Sequence, residues 1–335
     1  MDLLGASKEM LIDLRTSILG KRSSKPREKG ITMVLDKLSQ PLSCLGLEYK
    51  APYIDYVKIG WGLPLLIPTD MLRERIRLYH ELDVDVGLSG TLMELATVKG
   101  RARDLFEEAW SLGFNVVEIS SGIVDIPMQE RLELADYARS LGFKVTFEVG
   151  KKDPSRKLPL RSVIEEIRLA LESGRVWKVI IEGREFGKAS CLFDEEGNLK
   201  SDWFSALISM FDHGDLIFEA PLVKQHVELI RRLGPNVNLG NIRMEDVLSL
   251  ESLRLGVRGD TFLIKSRGSL TGGSPSEKFV LYVLKQFGPM SSSEIKRKTG
   301  LPSRTIYKAL KNLKDKGLVE QLSLGGTTIW AASHT

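Results

Sequence analysis

The chain has 335 residues, a formal net charge of +4, two cysteines and four histidines. That length allows one large domain and one small domain of ordinary soluble composition. No apolar run approaches the roughly 18 residues that span a bilayer, and charges interrupt the N-terminal segment where a signal peptide needs an apolar core. Cys44 and Cys191 have no partner at metal or redox spacing, so we expect free thiols in a reducing cytoplasm and no zinc site.

Strand-like apolar runs alternate with amphipathic helical patterns from Ile31 onward. The predicted strands are Thr32–Asp36, Tyr53–Trp61, Val84–Leu88, Asn115–Ser120, Lys144–Val149, Val176–Glu182, Leu216–Ala220 and Asn236–Leu239. The predicted helices are Met71–Leu82, Leu92–Leu112, Met128–Leu141, Leu160–Ser173, Asp202–Phe211, Val223–Leu233 and Glu245–Leu255, with a short one in the first crossover. Eight strands, each followed by a crossover, predict an α/β fold of the (β/α)8 TIM-barrel type. An open doubly wound sheet is the alternative, but no glycine-rich dinucleotide fingerprint follows the first strand.

After Phe262 the composition changes to a small, polar segment that is typical of a linker. The last 60 residues then predict three helices, Ser276–Phe287, Ser291–Thr299 and Ser303–Lys316, followed by two strands, Gly317–Leu322 and Thr327–Ala331, around a tip at Gly325-Gly326. This order is typical of a winged helix-turn-helix. The predicted organisation is an N-terminal extension (1–24) with one possible helix over Lys8–Leu19, a barrel (25–265), a linker (266–275) and a winged helix (276–335).

Glutamates recur near the carboxyl ends of the middle strands, where they follow apolar residues. Asp36, Glu118, Glu148, Glu182 and Glu219 all occupy such positions. A carboxylate under the outer helices would be costly, so these side chains should point into the barrel mouth, where barrel enzymes hold metals and acid–base groups. Oxygen ligands without Cys or His suit Mg²⁺. The alternative is a buried network of carboxylates and cations that only closes the barrel.

Cations and small polar residues accompany these carboxylates. Lys37, Lys58, Lys151, Lys152, Arg184 and Lys188 lie at or just after predicted strand ends. The segment Gly234-Pro-Asn-Val-Asn-Leu-Gly-Asn241 at the eighth strand contains Asn236, Asn238 and Asn241. Loops after strands 7 and 8 commonly bind phosphate in this fold, so we expect these residues to bind an anionic substrate. A plain turn with Asn in the left-handed conformation is the alternative for the last segment.

The motifs along the barrel resemble the phosphosulfolactate synthase family. They are Lys25-Pro-Arg27, Val34-Leu-Asp-Lys37, Tyr53-Ile-Asp-Tyr-Val-Lys58, Gly60-Trp-Gly62, Glu118-Ile-Ser120, Glu148-Val-Gly-Lys-Lys152, Ile180-Ile-Glu-Gly-Arg-Glu185, Phe218-Glu-Ala-Pro221, Asn236-Val-Asn-Leu239 and Arg258-Gly-Asp-Thr261. The resemblance implies a Mg²⁺-dependent lyase that adds sulfite to phosphoenolpyruvate and gives (2R)-phospho-3-sulfolactate, a step towards coenzyme M. Lys152 is the expected general acid, with Lys151 as the rival, and a lysine among other cations should have a lowered pKa.

Six residues in five segments around the predicted mouth depart from the family pattern. They are Leu38 after the first strand, Leu63-Pro64, Ser89, Ser121 and Phe186. These departures bear on the identity of the substrate rather than on the fold.

The C-terminal unit is basic, and its third predicted helix carries Arg304, Lys308, Lys311 and Lys314. Such a helix can enter the major groove of double-stranded DNA and contact phosphates. A solvated basic helix on a dimerisation module is the alternative. DNA binding would imply a homo-oligomer, because one small winged helix binds weakly. A transcription regulator whose barrel senses a phosphorylated or sulfonated metabolite is therefore the rival to the enzyme.

Overall fold

A computed structural model describes residues 22–41, 46–153, 155–156, 158–262, 274–315, 317–324 and 327–333. The chain divides into two compact units, one ending at Ile264 and the other beginning at Lys265. The predicted helix Lys8–Leu19, residues 266–273 of the predicted linker, and the wing tip Gly325-Gly326 lie outside the described residues. Within the described part of the chain, no helix is long and apolar enough to cross a membrane.

Eight parallel strands close the first unit into a barrel in which β1 pairs with both β2 and β8. The strands are β1 (Thr32–Asp36), β2 (Tyr56–Ile59), β3 (Asp85–Leu88), β4 (Val116–Ile119), β5 (Lys144–Val149), β6 (Lys178–Ile181), β7 (Leu216–Glu219) and β8 (Leu239–Ile242). The predicted (β/α)8 barrel is thus confirmed.

Helices connect the strands and cover the outside of the barrel. They are α1 (Leu47–Lys50), α2 (Thr69–Glu81), α3 (Gly90–Val98), α4 (Ala102–Leu112), α5 (Met128–Leu141), α6 (Leu160–Glu172), α7 (Ser201–Met210), α8 (Val223–Leu233) and α9 (Val247–Arg254). The single helix predicted over Leu92–Leu112 is two helices, because the chain turns at Gly100, whose φ of 68° lies in the left-handed region.

The eighth strand, β8, begins at Leu239, which is the last residue of the strand predicted there. Asn236 is exposed, and Asn238 is buried just before β8. The amide oxygen of Asn238 accepts the Ile31 N–H at 2.9 Å, while its nitrogen donates to the carbonyls of Gly214 (2.9 Å) and Leu216 (3.0 Å). Both asparagines therefore lie at the amino end of the barrel, and only Asn241 reaches the opposite end. The prediction that all three asparagines line the mouth is wrong for Asn236 and Asn238.

Side chains inside the barrel form an apolar layer beneath a charged one. The apolar cluster consists of Ile31, Met33, Tyr56, Val116, Ile180 and Ile217. Two positions further along the same strands are Leu35, Lys58, Glu118, Glu182 and Glu219, which line a cavity at the carboxyl ends. Because side chains alternate along a strand, residues two apart share a face, so the buried apolar layer fixes which charged residues point inward.

Asp36 follows the inward-facing Leu35 in β1, so its side chain lies on the opposite face of the strand and points out of the barrel. Its carboxylate accepts from Arg75 Nε at 2.7 Å, from Arg75 Nη2 at 3.0 Å and from the Tyr79 hydroxyl at 2.8 Å, and both partners lie on α2. The expectation that a carboxylate cannot lie under a helix fails here because α2 supplies a bidentate guanidinium. Asp36 is therefore not a metal ligand at the mouth, and that prediction is wrong.

The described residues of the second unit form three helices and an antiparallel hairpin: α10 (Pro275–Phe287), α11 (Ser292–Thr299), α12 (Ser303–Asp315), β9 (Val319–Leu324) and β10 (Thr327–Ala332). Ser291 caps α11 by accepting the Glu294 N–H, and the Glu294 carboxylate accepts the Ser291 N–H in return. Ile295, Ile306, Leu310 and Trp330 pack in its own core. The predicted winged helix-turn-helix is confirmed.

Replacing Asp36 by Ala should destabilise the barrel by about 3–5 kcal/mol, because it leaves the buried Arg75 guanidinium without its partner. Asp104→Ala, which breaks the exposed Arg101–Asp104 pair, should change the unfolding free energy by less than about 1 kcal/mol. Urea unfolding of the full chain measures both. Equal stability of the two variants would contradict a structural role for Asp36.

Candidate active site and candidate nucleic-acid interface

A cavity of about 300 Å³ opens at the carboxyl ends of the strands. It is lined by Leu35, Lys58, Gly60, Trp61, Ser89, Thr91, Glu118, Ile123, Glu148, Lys152, Glu182, Arg184, Glu185, Phe186, Glu219 and Asn241. Four of the five predicted carboxylates, two of the predicted lysines and Arg184 therefore meet in one pocket.

Lys58 lies between two carboxylates on the floor of this pocket. Its Nζ is 2.8 Å from Glu118 Oε2 and 2.7 Å from Glu219 Oε1. The other oxygens of the two carboxylates accept the backbone N–H groups of Gly90 (2.9 Å) and Gly183 (3.1 Å). Burial opposes the charge of Lys58, but Glu118 and Glu219 outweigh it and hold the pKa of Lys58 well above its usual value. Lys58 is thus a permanent cation with a fixed position.

Lys152 is the second cation of the pocket. Its Nζ lies 2.7 Å from Glu148 Oε2 and 3.3 Å from the Thr91 hydroxyl. Burial would lower the pKa of Lys152, but Glu148 and Glu118 dominate and raise it. The expectation of a lowered pKa is wrong, because this lysine is surrounded by carboxylates rather than by cations. Lys152 is a fully protonated donor that faces the cavity.

Lys151 points away from this pocket. Its Nζ donates to the Ser121 carbonyl at 2.6 Å and to Asp125 at 2.7 Å, and its side chain lines a different cavity. Consecutive residues at a strand end point to opposite sides, which separates the two lysines.

Among the carboxylates that line the pocket, Glu182 is the one that forms no ion pair with a described residue. Within the described residues, neither of its oxygens has a hydrogen-bond partner, although both are buried. Burial, reinforced by the charges of Glu219 and Glu148, raises the pKa of Glu182 well above its usual range. Among the described residues, no three Asp, Glu, His or Cys side chains converge as a ready-made metal site. Of the four predicted metal ligands in the pocket, Glu118, Glu148 and Glu219 thus form ion pairs with lysines, and Glu182 forms none with a described residue.

The remaining predicted substrate ligands lie at different places. Arg184 is half-buried in the pocket and has no salt bridge to any described residue, and Asn241 lines the pocket with its buried amide oxygen unpaired. Lys37 forms an ion pair with Glu185 and lies over the Trp61 ring, with its Nζ 5.7 Å from the ring centroid. Lys188 is exposed and lies outside the pocket lining.

Only some departures from the family pattern reach the pocket. Ser89 and Phe186 line it, and Phe186 is 70% exposed at its rim. Ser121 lies in a turn, where its hydroxyl donates to the Val124 carbonyl at 2.8 Å, and Leu63-Pro64 form part of a short 3-10 helix.

Sequence reasoning missed several residues of this region. Trp61, Thr91 and Glu185 line the cavity although they were not predicted as site residues, and Glu94 lies buried behind it. A signal existed for Glu94, because it is an acidic residue within the apolar run Leu92-Met-Glu-Leu95 on a helix that must pack against the barrel.

The candidate nucleic-acid interface is one face of α12. All four predicted DNA-binding residues, Arg304, Lys308, Lys311 and Lys314, are exposed there. Tyr307, which is 70% exposed, lies between them on the same face by helical spacing. Lys314 is less available to a ligand, because its Nζ donates a hydrogen bond to the Gln321 side chain on β9 at 2.9 Å.

Comparisons with known proteins agree with this division of the chain. Residues 20–260 match the family model of (2R)-phospho-3-sulfolactate synthase (ComA), and residues 274–333 match that of the sugar-specific transcriptional regulator TrmB. A phosphosulfolactate synthase from Methanothermobacter thermautotrophicus is 42% identical over 243 residues, which cover 72% of this chain and 94% of the relative.

Two further relatives carry the same name. The protein from Methanocaldococcus jannaschii is 42% identical over 238 residues, covering 70% of this chain and 94% of its own length. The Bacillus subtilis protein is 34% identical over 253 residues, covering 72% and 96%. The chain therefore belongs to the phosphosulfolactate synthase family of carbon–sulfur lyases, and it carries a TrmB-like winged helix after the barrel.

Proposed function

We propose that the barrel catalyses the addition of sulfite to phosphoenolpyruvate, giving (2R)-phospho-3-sulfolactate in a Mg²⁺-dependent reaction. The observation that carries the proposal is Lys152, a protonated lysine that faces a cavity of about 300 Å³ beside a second fixed cation, Lys58. The family and the names of its relatives supply the reaction, and the pocket residues fit the chemistry it needs.

The reaction needs one nucleophilic attack and one proton transfer. The sulfur lone pair of sulfite forms a bond to the terminal CH₂ carbon of phosphoenolpyruvate, and the electrons of the C=C bond move into the carboxylate as an enediolate. The electron pair then returns to the carbon that bears the phosphate, which takes a proton from the Lys152 ammonium. Lys152 regains a proton from solvent, and no group leaves.

Charge balance favours a metal ion in this pocket. Five carboxylates (Glu118, Glu148, Glu182, Glu185 and Glu219) line the pocket together with two lysines and Arg184, yet both proposed substrates are anions. Magnesium commonly uses one or two protein carboxylates and completes its shell with substrate oxygens and water. Glu182 fits this use, because both of its oxygens are buried and unpartnered among the described residues, and the unpaired Asn241 amide oxygen is a second candidate. A bound Mg²⁺ would supply positive charge that stabilises the enediolate.

Arg184 is the residue best placed to bind the phosphate or sulfite group. It lies in the pocket lining and is free of salt bridges to the described residues, so an incoming anion need not break an existing pair. Lys58 is less available, since both Glu118 and Glu219 already share its ammonium. An arginine also offers the bidentate geometry that suits phosphate and sulfonate oxygens.

Lys152→Ala should lower kcat by about 100- to 10,000-fold while the fold persists, because the variant lacks the proton donor. Lys151→Ala is the matched control, since Lys151 faces a different cavity, and it should keep kcat within about threefold of the parent. Consumption of phosphoenolpyruvate in the presence of sulfite and Mg²⁺ measures both. Near-parental activity of Lys152→Ala, or an equal fall of kcat in the two variants, would remove Lys152 as the acid.

A second candidate function rests on the C-terminal unit. We propose that α12 binds double-stranded DNA, supported by its exposed basic face and by the match of this unit to a transcriptional regulator family. Binding by a single small unit would be weak, so this proposal includes a homo-oligomer. A chain that binds phosphoenolpyruvate without turnover, and whose DNA affinity changes with that ligand, would be a regulator with a sensor barrel.

Replacing both Arg304 and Lys308 by Ala should weaken binding to a mixed-sequence duplex and reduce its salt dependence. The slope of log K against log[salt] should become shallower by about 0.9 for each DNA phosphate that the variant no longer neutralises. Lys285→Ala, which removes an exposed charge on α10, is the control and should leave the slope unchanged. Fluorescence anisotropy across a salt series measures the slopes. An unchanged slope in the double variant would refute DNA binding through α12.

A further inference from the structure

Glu94 is a buried carboxylate behind the pocket that the reaction as described does not use. It lies on α3 and is 1% exposed. Its Oε1 accepts the Gly122 N–H at 3.0 Å, and its Oε2 accepts the N–H groups of Ile123 (2.7 Å) and Val124 (2.9 Å). Three backbone donors on one carboxylate compensate its burial and fix the backbone that follows β4.

The backbone held by Glu94 supports Lys152. The Lys152 N–H donates to the Gly122 carbonyl at 3.0 Å. A Cβ atom placed on Gly122 would lie 3.0 Å from Cγ and 3.1 Å from both Cδ and Cε of Lys152. The aliphatic part of Lys152 therefore packs directly on the Gly122 backbone, with no room for a methyl group between them.

A second connection runs through side chains to the ammonium of Lys152. The Ser120 hydroxyl lies 2.6 Å from Glu94 Oε1 and 2.6 Å from Glu148 Oε2, and Glu148 Oε2 is the atom 2.7 Å from Lys152 Nζ. Glu94 Oε1 is itself 3.8 Å from Lys152 Nζ. The main chain, the stem and the ammonium of Lys152 thus all depend on the position of one carboxylate.

We propose that Glu94 is a positioning residue, which holds the Gly122 backbone against Lys152 and so keeps the Lys152 ammonium directed into the pocket. The inference rests on the proposed role of Lys152 as proton donor. It differs from a purely structural role, in which Glu94 would only stabilise the segment after β4 and leave the chemical step unaffected.

Glu94→Gln tests the proposal with little change in volume. The amide oxygen can still accept from Ile123 and Val124, but the NH₂ group then faces the Gly122 N–H, which keeps only the Ser120 hydroxyl, at 3.2 Å, as an acceptor. A misplaced donor should lower kcat by about 10- to 100-fold. KM for phosphoenolpyruvate should stay within about threefold, because Arg184 and Lys58 do not contact Glu94. Gly122→Ala places a methyl group against the aliphatic part of Lys152. It should likewise lower kcat and leave KM for phosphoenolpyruvate within about threefold.

Glu251→Gln is the matched control, because Glu251 is also a buried helical carboxylate but pairs with Arg22 at the other end of the barrel. It should lower stability and leave kcat unchanged. A parental kcat in Glu94→Gln, or an equal fall of kcat in Glu94→Gln and Glu251→Gln, would overturn the positioning role.

Amide hydrogen exchange tests the same link without turnover, so that a failure of the proposed reaction and a failure of this inference can be told apart. In Glu94→Gln, exchange should rise in peptides that contain residues 120–124 and also in those that contain Lys152. Glu251→Gln should change neither. Faster exchange over 120–124 with unaltered exchange at Lys152 would contradict the inference, whether or not the parent enzyme turns over phosphoenolpyruvate.

Discussion

The ammonium of Lys58 is shared by Glu118 and Glu219 inside the barrel, and the arrangement of the pocket depends on this buried interaction. Removing one partner from such a group leaves an uncompensated buried charge, which costs several kcal/mol. The two ion pairs join β2 to β4 and β7 across the interior. The second oxygens of both glutamates also accept backbone N–H groups, from Gly90, the first residue of α3, and from Gly183, just after β6.

The same charges shape what the pocket can bind. Burial raises the pKa of Glu118 to about 7, although Lys58 opposes this, and the pKa of Glu182 is also raised. An anionic substrate would therefore bind beside carboxylates whose ionised form is already unfavourable, unless a cation binds in the pocket as well. Glu182 is the carboxylate whose ionisation is most affected, because the lysines already pair with Glu118, Glu148 and Glu219.

The repeated alternation of strands and helices was sufficient to predict the barrel, and its carboxyl-end glutamates were sufficient to predict where the pocket lies. The side-chain directions and the exact bounds of the strands were harder to predict. Val34-Leu-Asp36 offers apolar residues on both faces of β1, so its pattern does not show that Asp36 points outward to Arg75. In β8 the strand residues Gly240 and Asn241 have low strand preference, whereas Val237 and Leu239 alternate with polar residues just before them, so the strand was predicted three residues too early.

Contacts between residues far apart in the sequence explain the other differences between the predictions and the structure. The expected low pKa of Lys152 followed from counting nearby cations in the sequence, but the fold places Glu148 and Glu118 around it and Lys151 on the other side of the strand end. Glu94 acts on the segment after β4 from a preceding helix, 28 residues away from Gly122. No local pattern identifies such a pair, because only the closed barrel brings α3 beside that segment.

The proposed reaction requires phosphoenolpyruvate to bind in the carboxyl-end cavity between Lys152 and Arg184, with the metal at Glu182. A crystal structure with phosphoenolpyruvate and Mn²⁺, the latter located by its anomalous scattering, tests it most directly. We expect a Mn²⁺ peak in contact with a Glu182 oxygen and the substrate carbon skeleton within reach of Lys152 Nζ. A metal peak elsewhere in the barrel, or substrate bound beside Lys151 in the neighbouring cavity, would contradict it.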